Sequence, residues 1–112
     1  MTSTRQEKVA RQLQRDLGEI IQKEGQALFF GKMVTVTSVR VSPDLSFAKT
    51  FLSIFPSNDK DATLALIRTH TKQIRHELGK RVKNQLRIVP ELAFFIDDSL
   101  DYIENIENLL KE

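Results

Sequence analysis

The chain has 112 residues, of which 40% are hydrophobic and 29% are charged, and it contains no cysteine. This length fits a single domain, 1–112, with one hydrophobic core. The composition excludes an intrinsically disordered chain, and no apolar run approaches the roughly 20 residues of a membrane-spanning helix. Disulfides, thiolate zinc sites and a cysteine nucleophile are excluded. The N-terminal region lacks the apolar stretch of a secretory signal, so we expect a cytoplasmic protein without membrane contact.

The charges are segregated along the chain, although the net charge is only +2. Residues 60–87 carry eight basic side chains against two acidic ones, whereas residues 88–112 carry one basic side chain against seven acidic ones. Such a distribution can direct a polyanion to one surface of the protein. Pairing of the two segments with each other is the alternative.

Residues 3–24 are predicted to form a helix that Ser3 or Thr4 caps and Gly25 ends. Its apolar positions recur at spacings of three and four residues, and they are Val9, Leu13, Leu17, Ile20 and Ile21. On the opposite side of the helix lie the three basic residues Lys8, Arg11 and Arg15. These side chains form either an ordinary solvated face or part of an RNA-binding surface.

A β-hairpin is predicted next. Met33 to Val41 is rich in β-branched residues, and a shift in its apolar alternation predicts a bulge near Thr37 and Ser38. Ser42-Pro43-Asp44 provides the turn, and Phe47 to Phe55 forms the return strand.

The return strand has two apolar faces. Ala48, Leu52 and Ile54 share one face, while Phe47, Phe51 and Phe55 share the other. We favour packing of these phenylalanines beneath the helices, and stacking on RNA bases is the alternative.

Residues 60–84 are predicted to be helical, either as one helix, as a kinked helix or as two helices, with Asn58 or Asp59 as the N-cap. The apolar stripe consists of Leu64, Ile67, Thr71, Ile74, Leu78 and Val82. A second stripe, the best candidate for phosphate binding, consists of Arg68, Lys72, Arg75, Gly79 and Lys83, with His76 and Lys80 beside it. Gly79 either permits close approach of a backbone or is a tolerated helix-end glycine.

A third strand is predicted from Leu86 to Ile96, with Pro90 at an edge, at a bulge or at the strand's start. Asp97-Asp98-Ser99 leads into a short acidic helix that carries Leu100, Ile103, Ile106, Leu109 and Leu110. The predicted domain is therefore of the α+β class, with helices on one face of a small sheet.

No pattern points to catalysis, a metal or a cofactor. His70 and His76 are six residues apart, which does not suit metal binding on one helix face. Asp97 and Asp98 are adjacent and would point to opposite faces of a strand. The glycines do not form a phosphate-binding loop, and no serine has the surroundings of a nucleophile elbow. We therefore expect a binding protein that is not an enzyme.

Two stretches resemble the bacterial ribosome-binding factor A family. They are VTVTSVRVSPDLSFAKTFLSIF at 34–55 and IRHELGKRVKNQLRIVPELAFFIDDSLDY at 74–102. The resemblance implies a type II KH-like fold, ordered α-β-β-α-α-β, with a three-stranded sheet covered by helices. It implies a cytoplasmic factor that binds the small (30S) ribosomal subunit during its maturation and that is associated with growth in the cold. Such a factor assists maturation of the 5′ end of 16S ribosomal RNA without catalysing cleavage. In this family the two central helices meet at a kink, typically Ala-x-Gly, and His70-Thr71-Lys72 occupies the corresponding position here.

We interpret the chain as a monomer that binds 16S ribosomal RNA and contacts neighbouring ribosomal proteins. The predicted RNA-binding residues are Arg68, Lys72, Arg75, Lys80, Arg81, Lys83 and Arg87, helped by Lys8, Arg11 and Arg15. Reversal of the charges of Arg68, Lys72 and Arg75 is expected to abolish binding with little loss of stability. The alternative function is a protein interaction module that docks through its acidic C-terminal helix.

Overall fold

The computed structural model describes residues 3–28, 32–55 and 59–97. In chain order the elements are α1 (Thr4–Leu28), β1 (Met33–Val41), β2 (Phe47–Phe55), α2 (Lys60–Thr69), α3 (Thr71–Val82) and β3 (Glu91–Ile96). This order confirms the predicted α+β, KH-like arrangement. The predicted acidic helix at the C-terminus lies outside the described residues.

Helix α1 begins with a reciprocal cap. The Gln6 backbone N–H donates to the Ser3 hydroxyl (3.1 Å), and the Ser3 backbone N–H donates to the Gln6 side-chain oxygen (2.9 Å), so Ser3 is the capping residue. The prediction that Gly25 ends this helix is wrong, since α1 continues to Leu28. Tertiary packing outweighs the low helix propensity of one glycine, because the apolar stripe of α1 is buried from Leu13 to Ile21.

The sheet has the strand order β1-β2-β3, with β1 antiparallel and β3 parallel to β2. The predicted bulge is confirmed, because the β1–β2 register shifts between Val36 and Ser38. The extra residue, Thr37, donates its hydroxyl to the Asp97 carboxylate (2.6 Å), and its carbonyl accepts from the Gln14 side chain of α1 (3.1 Å). Polar contacts therefore hold the bulge on both sides of the sheet.

The turn between β1 and β2 is organised around Asp44. Its carboxylate accepts hydrogen bonds from the hydroxyls of Ser42 and Ser46, both at 2.7 Å, and from the Ser46 backbone N–H at 3.1 Å. These donors, with the Ser46 hydroxyl first, lower the pKa of Asp44 to about 2. The turn chemistry predicted for this segment is thus realised by side chains.

The segment after the hairpin contains two helices separated at His70, whose φ of −102° and ψ of 11° are not helical. Leu64 and Ile67 of α2 and Ile74 and Leu78 of α3 are all buried, so the apolar stripe continues across the break. Of the two predicted N-caps, Asn58 lies outside the described residues, and the side-chain cap by Asp59 is absent. This residue adopts a left-handed backbone (φ 62°), and its carboxylate makes no capping hydrogen bond.

Strand β3 starts directly after Pro90, which leaves the proline outside the hydrogen-bonded ladder. Segment 86–90, predicted as part of this strand, is irregular instead.

All described helices pack on one face of the sheet. That face contributes Val34, Val36, Val39, Val41, Ala48, Leu52, Ile54, Leu92 and Phe94 to the core. On the opposite face, which we call the open face, Met33 is 65% exposed, Phe55 is 59% exposed and Phe95 is 37% exposed. The expectation that Phe47, Phe51 and Phe55 pack beneath the helices is therefore wrong. Phe47 and Phe51 are half-buried on the open face, since the helices cover the alternate residues of β2.

Candidate nucleic-acid interface

Helix α3 presents a basic surface on the side opposite its buried stripe. A shallow depression there, which we call the α3 surface, is lined by Lys72, Arg75, His76, Gly79, Lys80, Lys83 and Val89. The helical period places Ile74, Leu78 and Val82 in the core and brings the basic residues to one exposed side. Of the predicted stripe, the residues from Lys72 to Lys83 therefore lie together on this surface.

Arg75 joins α3 to the segment that precedes β3. Its Nε donates to the Pro90 carbonyl oxygen (3.0 Å), and its Nη2 donates to the Val89 carbonyl oxygen (2.7 Å). Both carbonyls belong to irregular backbone, so the guanidinium satisfies acceptors that the strand ladder does not use. Arg75 therefore has a structural role as well as a positive charge at the surface.

Gly79 lies where segment 86–90 meets α3. A Cβ atom added there would lie 3.2 Å from Cγ2 of Val89, which is a tight contact. The glycine thus allows close approach of the Val89 side chain, whereas the predicted close approach was that of a backbone.

The lysines of the α3 surface are weakly held by the protein. Lys72 and Lys83 are exposed. Lys80 contacts Glu77 at 3.3 Å, with the two side chains 63% and 33% exposed, and such a pair contributes little to stability. The residues that line the depression within the described ranges include no carboxylate. The surface consequently keeps its positive charge available for an anion.

Arg81 lies elsewhere, on a second depression between α1 and α3. This α1–α3 surface is lined by Lys8, Arg11, Gln12, Arg15, Asp16, Arg81 and Gln85. Arg81 forms an ion pair with Glu19, and its Nη1 lies 3.8 Å from Oδ1 of Asp16. Gln12 donates to Gln85 across the junction. Carboxylates therefore partly neutralise the cations of this surface.

Arg68 does not belong with Lys72 and Arg75, which corrects the prediction of one continuous stripe. Arg68 lies on α2, before the break at His70, and its guanidinium reaches the edge of the sheet. Its Nε and Nη2 donate to the Phe94 carbonyl oxygen at 3.2 and 2.7 Å. Both Arg68 and Arg75 thus hold backbone, so reversal of their charges is now expected to destabilise the fold.

Arg87 is also separate, in a depression near the β1–β2 turn that Arg5, Asp44 and Ile88 help to line. The ten predicted residues therefore occupy several surfaces. Sequence reasoning missed Arg40 and Lys49 on the open face, although the alternation of β2 places Lys49 on the side of Phe51 and the predicted bulge brings Arg40 opposite Lys49.

Within the described ranges, no helix is long and apolar enough to cross a membrane. The same part of the chain contains no cluster of three or more histidine, aspartate or glutamate side chains suited to a metal ion.

Comparisons with known proteins identify the family. The family model for ribosome-binding factor A matches residues 5–110. Ribosome-binding factor A from Cytophaga hutchinsonii is 44% identical over 112 residues, covering 100% of this chain and 84% of that protein. The Flavobacterium johnsoniae protein of the same name is 47% identical over 111 residues, covering 98% of this chain and 85% of that protein.

Solved structures agree with these sequence matches. The crystal structure of ribosome-binding factor A from Thermus thermophilus has a TM-score of 0.69 and 26% identity, covering 81% of this chain and 94% of that chain. A homology model of the Thermus thermophilus factor, fitted into a cryo-electron microscopy map of a 30S complex, has a TM-score of 0.65 and 29% identity, covering 80% of this chain and 91% of that chain. The chain therefore belongs to the ribosome-binding factor A family.

Proposed function

We propose that this protein binds the small (30S) ribosomal subunit and assists maturation of the 5′ end of 16S ribosomal RNA by binding, without catalysing cleavage. It acts as a monomer in the cytoplasm and contacts neighbouring ribosomal proteins. Family membership and the relative fitted into a 30S complex support this proposal. We choose the α3 surface as the RNA contact because its basic side chains converge in one depression, and no carboxylate lines this depression among the described residues.

The α3 surface suits phosphate groups of folded RNA. Lys72, Lys80 and Lys83 provide mobile charges, and phosphate contacts of this kind position a protein without reading sequence. Arg75 has five N–H donors, and those that do not hold Val89 and Pro90 remain available to phosphate oxygens. Specificity would then depend on the shape of the ribosomal RNA.

The α1–α3 surface is a weaker candidate for the same role. Its cations include Lys8, Arg11 and Arg15, but Asp16 lies among them and Arg81 is paired with Glu19. We therefore assign it a supporting contribution.

The test is co-sedimentation of the protein with small subunits across a range of salt concentrations. The triple variant K72E/K80E/K83E reverses three charges of the α3 surface, and K8E/R11E/R15E is the matched control on α1. Loss of three phosphate contacts should reduce the log-log salt slope by roughly 2 to 3, because each contact releases about 0.7–0.9 counterions. The control should lose less affinity.

Circular dichroism must show that both variants are folded. A folded K72E/K80E/K83E variant with the affinity and salt slope of the original protein would show that the α3 surface is not the contact. For the mode of action, the purified protein should leave precursor 16S RNA intact. Cleavage that disappears with a single substitution in this chain would refute action by binding alone.

A further inference from the structure

The open face of the sheet carries two neighbouring aromatic rings. Phe51 of β2 and Phe95 of β3 are register partners, and their ring centroids lie 5.8 Å apart with an interplanar angle of 32°. Phe51 is half-buried and Phe95 is exposed. The two rings therefore form an accessible aromatic platform on the side of the sheet away from the core.

Each ring has an arginine guanidinium over it, at a cation–π distance. The guanidinium carbon of Arg40 lies 5.9 Å from the centroid of Phe51, and that of Arg68 lies 5.9 Å from the centroid of Phe95. The Phe94 carbonyl oxygen holds the guanidinium of Arg68 in place. Positive charge is thus positioned over both rings, where a guanidinium plane can also stack on a base.

A third cation, Lys49, lies opposite Arg40 on the open face. Arg40 and Lys49 are direct register partners of the antiparallel β1–β2 pair. Like charges opposite each other destabilise a sheet. Within residues 3–28, 32–55 and 59–97, neither cation has an ion-pair partner. Glu91, the exposed acid at the start of β3, lies opposite Phe47 rather than Lys49, and the Asp97 carboxylate accepts from the Thr37 hydroxyl at the bulge. An anionic ligand would relieve this repulsion.

We propose that Arg40, Lys49, Phe51, Arg68 and Phe95 form a binding site for single-stranded RNA, which we call the open-face site. Two adjacent bases stack on the phenylalanine rings, and the flanking cations bind the phosphates. Phenylalanine has no hydrogen-bonding group, so this stacking does not select a base. The proposal deepens the proposed function, since RNA is the ligand of both, but it uses a surface on the other side of the sheet from the helices.

Fluorescence anisotropy with a labelled oligouridine of about eight nucleotides tests the open-face site in the full chain. The variant F51L/F95L keeps apolar volume but removes the aromatic faces, and it should weaken oligouridine binding by about 5- to 150-fold per lost stack. The variant R40Q/K49Q should lower the log-log salt slope by about 1.4, because single-stranded contacts contribute about 0.7 each. It also tests the site if F51L/F95L fails to fold.

The matched control is K72Q/K80Q/K83Q, which leaves the open-face site unchanged. We expect this control to retain more oligouridine affinity than F51L/F95L and to lose more small-subunit binding. Unchanged oligouridine binding by folded F51L/F95L would overturn the open-face site and leave the role of the α3 surface intact.

A lower melting temperature of F51L/F95L beside unchanged oligouridine binding would show that the two rings contribute packing and not RNA binding. Failure of the α3 surface in co-sedimentation would leave the oligouridine result standing, so the two proposals fail separately.

Discussion

The structure predicts that Arg75 stabilises the fold although it lies on a basic surface. In the variant Arg75→Ala, the carbonyl oxygens of Val89 and Pro90 lose their guanidinium donors at 2.7 and 3.0 Å. Hydrogen bonds to charged groups contribute about 1.5–3 kcal/mol each. Arg75 is only half-buried, so water partly replaces both donors. We therefore expect the free energy of unfolding to fall by about 2 kcal/mol in total.

Urea unfolding followed by circular dichroism measures this loss. For a domain whose whole stability is about 5–15 kcal/mol, a loss of about 2 kcal/mol is readily resolved. It corresponds to a decrease in melting temperature on the order of 10 °C. Lys72→Ala is the control on the same helix face, and its exposed side chain should contribute less than about 0.5 kcal/mol.

Unfolding of Arg75→Ala and Lys72→Ala at the same urea concentration with the same slope would refute this stabilising role of Arg75. That result would mean that water satisfies the Val89 and Pro90 carbonyls as well as the guanidinium does. Arg75 would then be an RNA-contacting residue alone, and its loss could be interpreted directly from subunit binding.

Three other predictions concern the core and the β1–β2 turn. Leu78→Ala removes a fully buried side chain and should lower the free energy of unfolding by roughly 2–5 kcal/mol, and unaltered urea unfolding would show that the site is not packed. Thr50→Val should raise it by about 1 kcal/mol, because the buried hydroxyl has no hydrogen-bond partner among the described residues. A lower calorimetric melting temperature would instead reveal a partner. Since the pKa of Asp44 is lowered to about 2, its carboxylate stabilises the fold above its ordinary pKa of 3.8, and this stabilisation is lost as the pH falls through about 2. The melting temperature of the original protein should therefore exceed that of Asp44→Asn by its largest amount at pH 6, and this difference should disappear as the pH falls from about 4 to about 2. A difference that stays constant with pH would refute the role of the charge.

Local patterns were sufficient to predict the hairpin and its bulge, because strand alternation and turn chemistry act over a few residues. The same patterns could not decide whether 60–84 forms one helix or two. Ile67, Thr71 and Ile74 keep the helical spacing through the break at His70, which alters the backbone of a single residue. Apolar periodicity reports which side faces the core and is insensitive to such a break.

The partners of the basic side chains could not be predicted from spacing. Arg75 contacts a carbonyl 15 residues away, and Arg68 contacts one 26 residues away. Such contacts depend on how β3 returns alongside β2, which is a property of the tertiary fold. Sequence alone therefore grouped Arg68 with Lys72, whereas the fold places them on different surfaces.

The single extra residue in the bulge of β1 determines which side chains of this strand face the core and which lie on the open face. Strand β2 is apolar on both sides, so its own alternation does not tell which side the helices cover. Without the bulge, counting back from the Val36–Leu52 pair would place Val39 opposite Lys49, on the side of Phe51. The extra residue Thr37 instead places Val39 opposite the buried Thr50. Arg40 is thereby brought opposite Lys49, on the open face beside Phe51. The bulge thus completes the core and also assembles the cations of the open-face site.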